Sequence, residues 1–193
     1  MKIFEKNEIR DIIVALIALT IIFSYPHAFS RVDLILLYLI AVIIGFLFHE
    51  LAHKFTAKKF GCHAQFKVWP FGLVLGLLTA IITFGRFKFA APGAVVIFPF
   101  RFGRWGYRAV RLTLKESGII SAAGPAVNIA FALLFTLIPL TYADFLSLIN
   151  SWLAFFNLLP VPPLDGSKIV AWKPWLWFLM ILIAFLLLLP YFL

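Results

Sequence analysis

Leu34-Ile35-Leu36-Leu37-Tyr38-Leu39-Ile40-Ala41-Val42-Ile43-Ile44-Gly45-Phe46-Leu47-Phe48-His49-Glu50-Leu51-Ala52-His53 is an almost unbroken apolar run closed by three ionisable side chains. Its helical pattern continues to about Lys59, giving a helix of about 25 residues that crosses a bilayer with some tilt. Lys54, Lys58 and Lys59 gather at its end, which places that end on the cytoplasmic side and, by alternation, the N-terminus there too.

The rest of the chain agrees. The 193 residues are 64% hydrophobic and 13% charged, with a mean hydropathy of +1.05. A soluble domain is roughly half apolar and about a quarter charged, and a chain of this length buries only about 70% of its surface. A soluble globular protein, a disordered chain and a disulfide scaffold are excluded, the last also because Cys62 is the single cysteine. The net charge of +9 does not point to nucleic acid. Of 17 basic residues, 11 lie between Lys54 and Lys115, with no Asp or Glu among them, as expected of a cytoplasmic membrane flank.

Further apolar runs cover Ile12 to Tyr25, Ile119 to Leu140, Phe145 to Leu159 and Trp175 to Phe192. Between Phe71 and Phe100 the pattern is broken by Gly72, Gly76, Gly85, Pro92-Gly93 and Pro99, while Val95-Val96-Ile97 favours a strand. Irregular backbone at membrane depth must be buried in protein or line a cavity, so 71–100 reads as a hairpin-like insertion from the cytoplasmic side, with a full span over 71–84 as the alternative. Arg104, Arg108, Arg111 and Lys115 recur at helical spacing, as in a surface amphipathic helix or the charged flank of the next span. The fold class is an all-α polytopic membrane protein with about five to six transmembrane helices and a small re-entrant β element, forming one domain over 1–193 with its core at about 34–166.

Ionisable residues inside spans cost about 2.5–3.5 kcal/mol each even on the lenient insertion scale, so they locate the chemistry. His49 and His53, four apart, share one helix face and can hold one metal ion, and Glu50 beside it can reach a bound water. This is the H-E-x-x-H pattern of zinc peptidases. A catalytic zinc usually takes a third protein ligand. His27, His63, Asp33, Glu116 and Asp144 lie at span ends or in loops, where a charge needs no special role. Asp165 follows Asn157-Leu158-Leu159-Pro160-Val161-Pro162-Pro163-Leu164, where three prolines end regular helix and free backbone suited to a polar cavity. Asp165 is the third candidate ligand, and Asn157 a candidate donor to a substrate carbonyl.

His49-Glu50-Leu51-Ala52-His53 together with Asn157 to Gly166 resembles the site-2 protease family of intramembrane metalloproteases, peptidase family M50, in its archaeal form. Ala122-Ala123-Gly124-Pro125-Ala126-Val127-Asn128 and Ala90-Ala91-Pro92-Gly93-Ala94-Val95 fit as well. The resemblance implies an endopeptidase that cleaves transmembrane segments of other membrane proteins. It implies one zinc ion held by His49, His53 and Asp165, Glu50 as general base to the zinc-activated water, and Asn157 near the substrate. It also implies that the stretch around 87–98 pairs with an unwound substrate. The sequence departs from many members of that family in leaving no room for a soluble PDZ or CBS regulatory domain. Expected partners are transmembrane substrates and the lipid bilayer. A metal transporter or sensor with the same His/His/Asp ligands is the alternative, and Glu50 discriminates, since a transporter has little need of a general base.

Overall fold

The computed structural model describes residues 4–27, 31–89, 91–103, 106–109 and 112–192. Helix α1, Lys6–Ser24, starts with a capping box between Glu5 and Glu8 and ends just before Pro26. Val32–Lys59 then forms one continuous helix: a 3-10 turn, α2 (Ile35–Val42), a π turn (Ile43–Leu47) and α3 (Phe48–Lys59). Strand β1 (Cys62–Val68), helix α4 (Pro70–Ile82), strands β2 (Gly93–Gly103) and β3 (Gly106–Ala109), and helices α5 (Leu114–Leu137), α6 (Ala143–Asn157), α7 (Asp165–Trp172) and α8 (Pro174–Leu188) complete the order.

Helix α5 is the hub, packing against α3, α6 and α7. One apolar core joins α1, α2 and α6 with Phe66 of β1, and a second joins α5 to α8. Among the described residues, three helices are long and apolar enough to cross a membrane: Val32–Lys59, Leu114–Leu137 and Pro174–Tyr191. Leu137, Ile82 and Trp175 are 80%, 72% and 60% exposed, an apolar outer surface suited to lipid rather than water. Helix α1, with Lys6, Glu8, Arg10 and Asp11 in its first turns, and the shorter α4 and α6 are not among the three.

The insertion expected over 71–100 is a hairpin only in part, over 70–92, since the chain from Gly93 onward joins the sheet as β2. Thirteen-residue α4 rises about 20 Å and the chain returns beside it in extended form. The Phe89 N–H donates to Thr79 Oγ1 at 3.2 Å, and the Trp69 N–H donates to the Pro92 carbonyl at 2.7 Å where the arms meet. At the tip, Gly85 adopts φ +76° beneath the Tyr25 carbonyl, where a Cβ would lie 2.6 Å from that oxygen.

Three findings revise or extend the expectations. Residues 106–109 are strand β3, antiparallel to Phe100–Gly103, so no helix runs from Arg104 to Lys115. A four-residue spacing between Arg104 and Arg108 suits a period of two as well as a helix, and Gly103 and Gly106 disfavour helix. Arg104 and Arg111 themselves lie outside the described residues. Second, Glu8 and Asp11, which precede the apolar run from Ile12, are buried. Third, the basic residues do not all lie at one end. Lys54 pairs with Glu8 in the first turn of α1, whereas Lys88 donates to the Phe23 carbonyl in its last, 15 positions and about 22 Å further along.

The sheet order is β1-β2-β3. The Phe66 N–H donates to Glu8 Oε1 at 3.0 Å and the Val68 N–H to Asp11 Oδ2 at 3.3 Å, so these two residues face α1. In an antiparallel ladder successive residues face opposite edges. Gln65 and Lys67 therefore bond to their partners Val96 and Ala94, and Gly93, Val95 and Ile97 turn their backbone groups to the other edge of β2. Strand β3 covers β2 only from Phe100 onward, leaving that edge free of any strand among the described residues.

Candidate metal centre

Helix α3 carries His49 and His53 one turn apart, and their Nε2 atoms lie 2.9 Å from each other. Asp165, the first residue of α7, places Oδ2 3.4 Å from His49 Nε2 and 3.0 Å from His53 Nε2. The three residues that the sequence nominated therefore meet, His49 at 4% and His53 at 6% exposure, as a group that could hold a metal ion. Donors bonded to zinc at about 2.0–2.1 Å in a tetrahedron sit roughly 3.3–3.4 Å apart, close to the spacing seen.

The chemistry of the donors fits a cation more firmly than the distances do. His53 Nδ1 lies 2.7 Å from the Ile120 carbonyl, which can only accept, so Nδ1 carries the proton and Nε2 a lone pair. His49 Nδ1 lies 2.6 Å from Asn128 Oδ1. The Asn128 amide is fixed in turn, because its Nδ2 donates to the Gly45 carbonyl at 2.7 Å and to Asn150 Oδ1 at 3.0 Å. Asn150 is fixed by donating to the Leu146 carbonyl at 2.8 Å. Carbonyls at both ends set the polarity of this relay, so His49 too turns a lone pair inward. Two imidazole lone pairs and a carboxylate oxygen thus converge, an arrangement that repels itself unless a cation sits between them.

Local sequence explains the placement. The π turn sets Gly45, whose carbonyl anchors Asn128, one turn before His49. Gly124 lets α5 approach, since a Cβ there would lie 2.6 Å from His49 Nε2 and closer still to His53. Pro125 has no N–H, which frees the Ser121 carbonyl beside the cavity. The prolines of 160–163 turn the chain so that α7 begins at Asp165, and Gly166 abuts the Leu158 carbonyl.

Glu50 is 7% exposed, and its Oε2 is buried without a hydrogen-bond partner among the described residues. Its carboxylate faces the Val95 N–H on the open edge of β2. Asn157 Nδ2 donates to the Leu153 carbonyl at 2.9 Å, leaving its second N–H. Glu50, Asn157, Val95 and the His/His/Asp group line one cavity of about 60 Å³, enough for a few water-sized groups. The residues set aside stay away from it: Asp33 pairs with Arg31 at 2.8 Å, His63 lies 3.5 Å from Glu5, Glu116 caps α5, and Asp144 begins α6. His27 follows α1 at the hairpin-tip end. The sequence reading names Asn128 only within the Ala122–Asn128 stretch, without a role, and misses Asn150; both are fully buried. A carboxamide in an apolar helix was the available signal.

The chain is 39% identical over 183 residues, 90% of its length and 88% of the relative's, to the "Putative zinc metalloprotease MJ0611" of Methanocaldococcus jannaschii. It is 32% identical to YwhC of Bacillus subtilis, over 68% of this chain and 66% of that one, and 29% identical to Rip2 of Mycolicibacterium smegmatis, over 71% and 57%. Both carry the same zinc metalloprotease description. No family model and no solved structure matches the chain. With His49 and His53 buried on an H-E-x-x-H helix, Asp165 brought beside them by α7, and these relatives, the chain belongs to the site-2 protease family of zinc metalloproteases, peptidase family M50.

Proposed function

We propose that the chain is an intramembrane endopeptidase that hydrolyses peptide bonds within or near transmembrane segments of other proteins, using one zinc ion held by His49, His53 and Asp165. The observation that carries this reading is the unpartnered, buried Glu50 Oε2 in the same cavity as three converging metal-donor atoms. Held by these three residues, a zinc ion would supply a Lewis acid for the scissile carbonyl and would lower the pKa of a water to about 7. Glu50 takes the proton of the attacking water and passes it to the leaving amine. Asn157 gives its spare N–H to the developing oxyanion. Asn128 and Ile120 hold the two imidazoles in the tautomer that ligation needs.

A helical substrate hides its peptide bonds and must unwind before attack. The open edge of β2 offers Gly93, Val95 and Ile97 beside Glu50, and an unwound segment can add there as an extended strand. Positive charge at the end of α3 supports a cytoplasmic location for the site and the N-terminus. Of the remaining helices, α1 and α6 supply further crossings in this reading.

The test incubates purified protein with a single-span substrate, comparing wild type, Glu50→Gln and a chelator-treated sample. Cleavage by wild type alone, with zinc retained in Glu50→Gln, is expected. Equal cleavage in all three refutes the protease, and stoichiometric zinc without cleavage in wild type favours a metal transporter or sensor.

A further inference from the structure

The hairpin tip and the ends of α1 and α8 border a second cavity, of about 180 Å³, which shares no lining residue with the metal centre. Arg86 and Lys88 enter it from the tip, and Phe23, Ile149, Trp152 and Phe192 form much of its apolar wall. None of its described lining residues is acidic.

Lys88 is fixed there. Its Nζ donates to the Phe23 carbonyl at 2.8 Å and lies 5.9 Å from the centre of the Phe23 ring. Trp152 Nε1–H donates to the Lys88 carbonyl at 3.2 Å, and the Trp152 indole meets Phe87 edge-on at 5.7 Å. One ammonium N–H is used by Phe23, which leaves two to give, and the exposed Arg86 adds a guanidinium fork.

The level of the cavity indicates what fills it. Helix α1 ends at Ser24 and the final helical turn of the chain is Leu189–Tyr191, so two apolar helices stop beside the cavity, as helices do where headgroups begin. Two cations stand here, at the end of α1 opposite Lys54, without a carboxylate to balance them. We propose that this cavity binds the headgroup of an anionic phospholipid, its phosphate between Lys88 and Arg86 and its acyl chain along Ile149 and Phe192. A zwitterionic headgroup brings its own cation against Arg86 and is disfavoured. The bound lipid pins the tip of the hairpin whose returning arm continues into β2.

The test titrates protein purified in neutral detergent with phosphatidylglycerol or phosphatidylcholine, counting bound lipid by native mass spectrometry. Each basic side chain contributes about fivefold near an anionic surface, so Arg86→Gln/Lys88→Gln should bind phosphatidylglycerol roughly 30-fold more weakly than wild type. Wild type should hold phosphatidylcholine no better than that double variant does. Because Lys88 also braces α1, Arg86→Gln alone is the safeguard, with roughly fivefold expected. Equal affinity of wild type for the two lipids overturns the proposal, as does unchanged phosphatidylglycerol binding in Arg86→Gln. Displacement of the lipid by millimolar glycerol phosphate also overturns it, by assigning the site to a soluble phosphate.

Discussion

Replacing Lys54 by Met should lower the melting temperature by roughly 6–12 °C, the consequence of leaving a single carboxylate buried. Lys54 is 2% and Glu8 1% exposed, and their ion pair joins α3, one residue after His53, to the first turn of α1. Removing one partner of such a pair costs about 3–5 kcal/mol. Glu8 keeps its bond from the Phe66 N–H, which places the loss near about 3 kcal/mol. In a chain of this length each kcal/mol moves the midpoint by about 2–4 °C. Cys62, the single cysteine and 3% exposed, provides the assay, since a thiol-reactive dye labels it only as the protein opens. Glu8→Gln combined with Lys54→Met removes the stranded charge while keeping an acceptor for Phe66, and should recover all but about 1 kcal/mol. A single variant melting within about 2 °C of wild type, or a double variant no better than the single, refutes the reasoning.

Asn128→Ala frees His49 to choose either tautomer and should weaken zinc binding by about 10–100-fold, read by competition with a chromogenic chelator; an unchanged affinity removes the relay from the account. Gly124→Ala drives a methyl group between the imidazoles, and should abolish zinc content by elemental analysis while circular dichroism shows the helices retained. Partial burial pushes the Lys88 ammonium down to about 8 from its usual 10.5. The charged form is the one burial penalises, so that penalty is present in full below about pH 8 and is relieved as pH rises toward 10.5. Measured against Lys88→Met, wild type should therefore gain relative stability across this window in thermal scans, and a loss would reverse the sign argued.

The candidate site was legible because each of its residues breaks a strong local pattern. His49, Glu50 and His53 interrupt an apolar helix, and Asp165 follows three prolines that end another. What surrounds them was hidden by distance along the chain. Asn128 meets His49 across 79 positions, and Glu8 meets Phe66 across 58, so neither partner is visible in a local window. Ranking only ionisable residues as costly in an apolar helix passed over Asn128 and Asn150, whose carboxamides carry the same demand for partners. Strand β1 was within reach. Cys62-His63-Ala64-Gln65-Phe66-Lys67-Val68 alternates apolar and polar residues along its whole length. The hairpin around 70–92 could be anticipated only as an interruption, because glycines and prolines show where a helix fails and not what it packs against.

Two carboxylates on the first turns of α1 do for β1 what a neighbouring strand would do. An unpaired strand is ordinarily a template on which a second molecule can grow, and proteins guard such margins with charge, proline or a covering helix. Here Glu8 and Asp11 act as stoppers in the donor positions of Phe66 and Val68. With that margin stoppered, the stretch of β2 beside Glu50 still keeps one edge free of any strand among the described residues. Loss of Glu8 would thus expose a sticky seam as well as a cavity, trading an orderly host for an aggregating one.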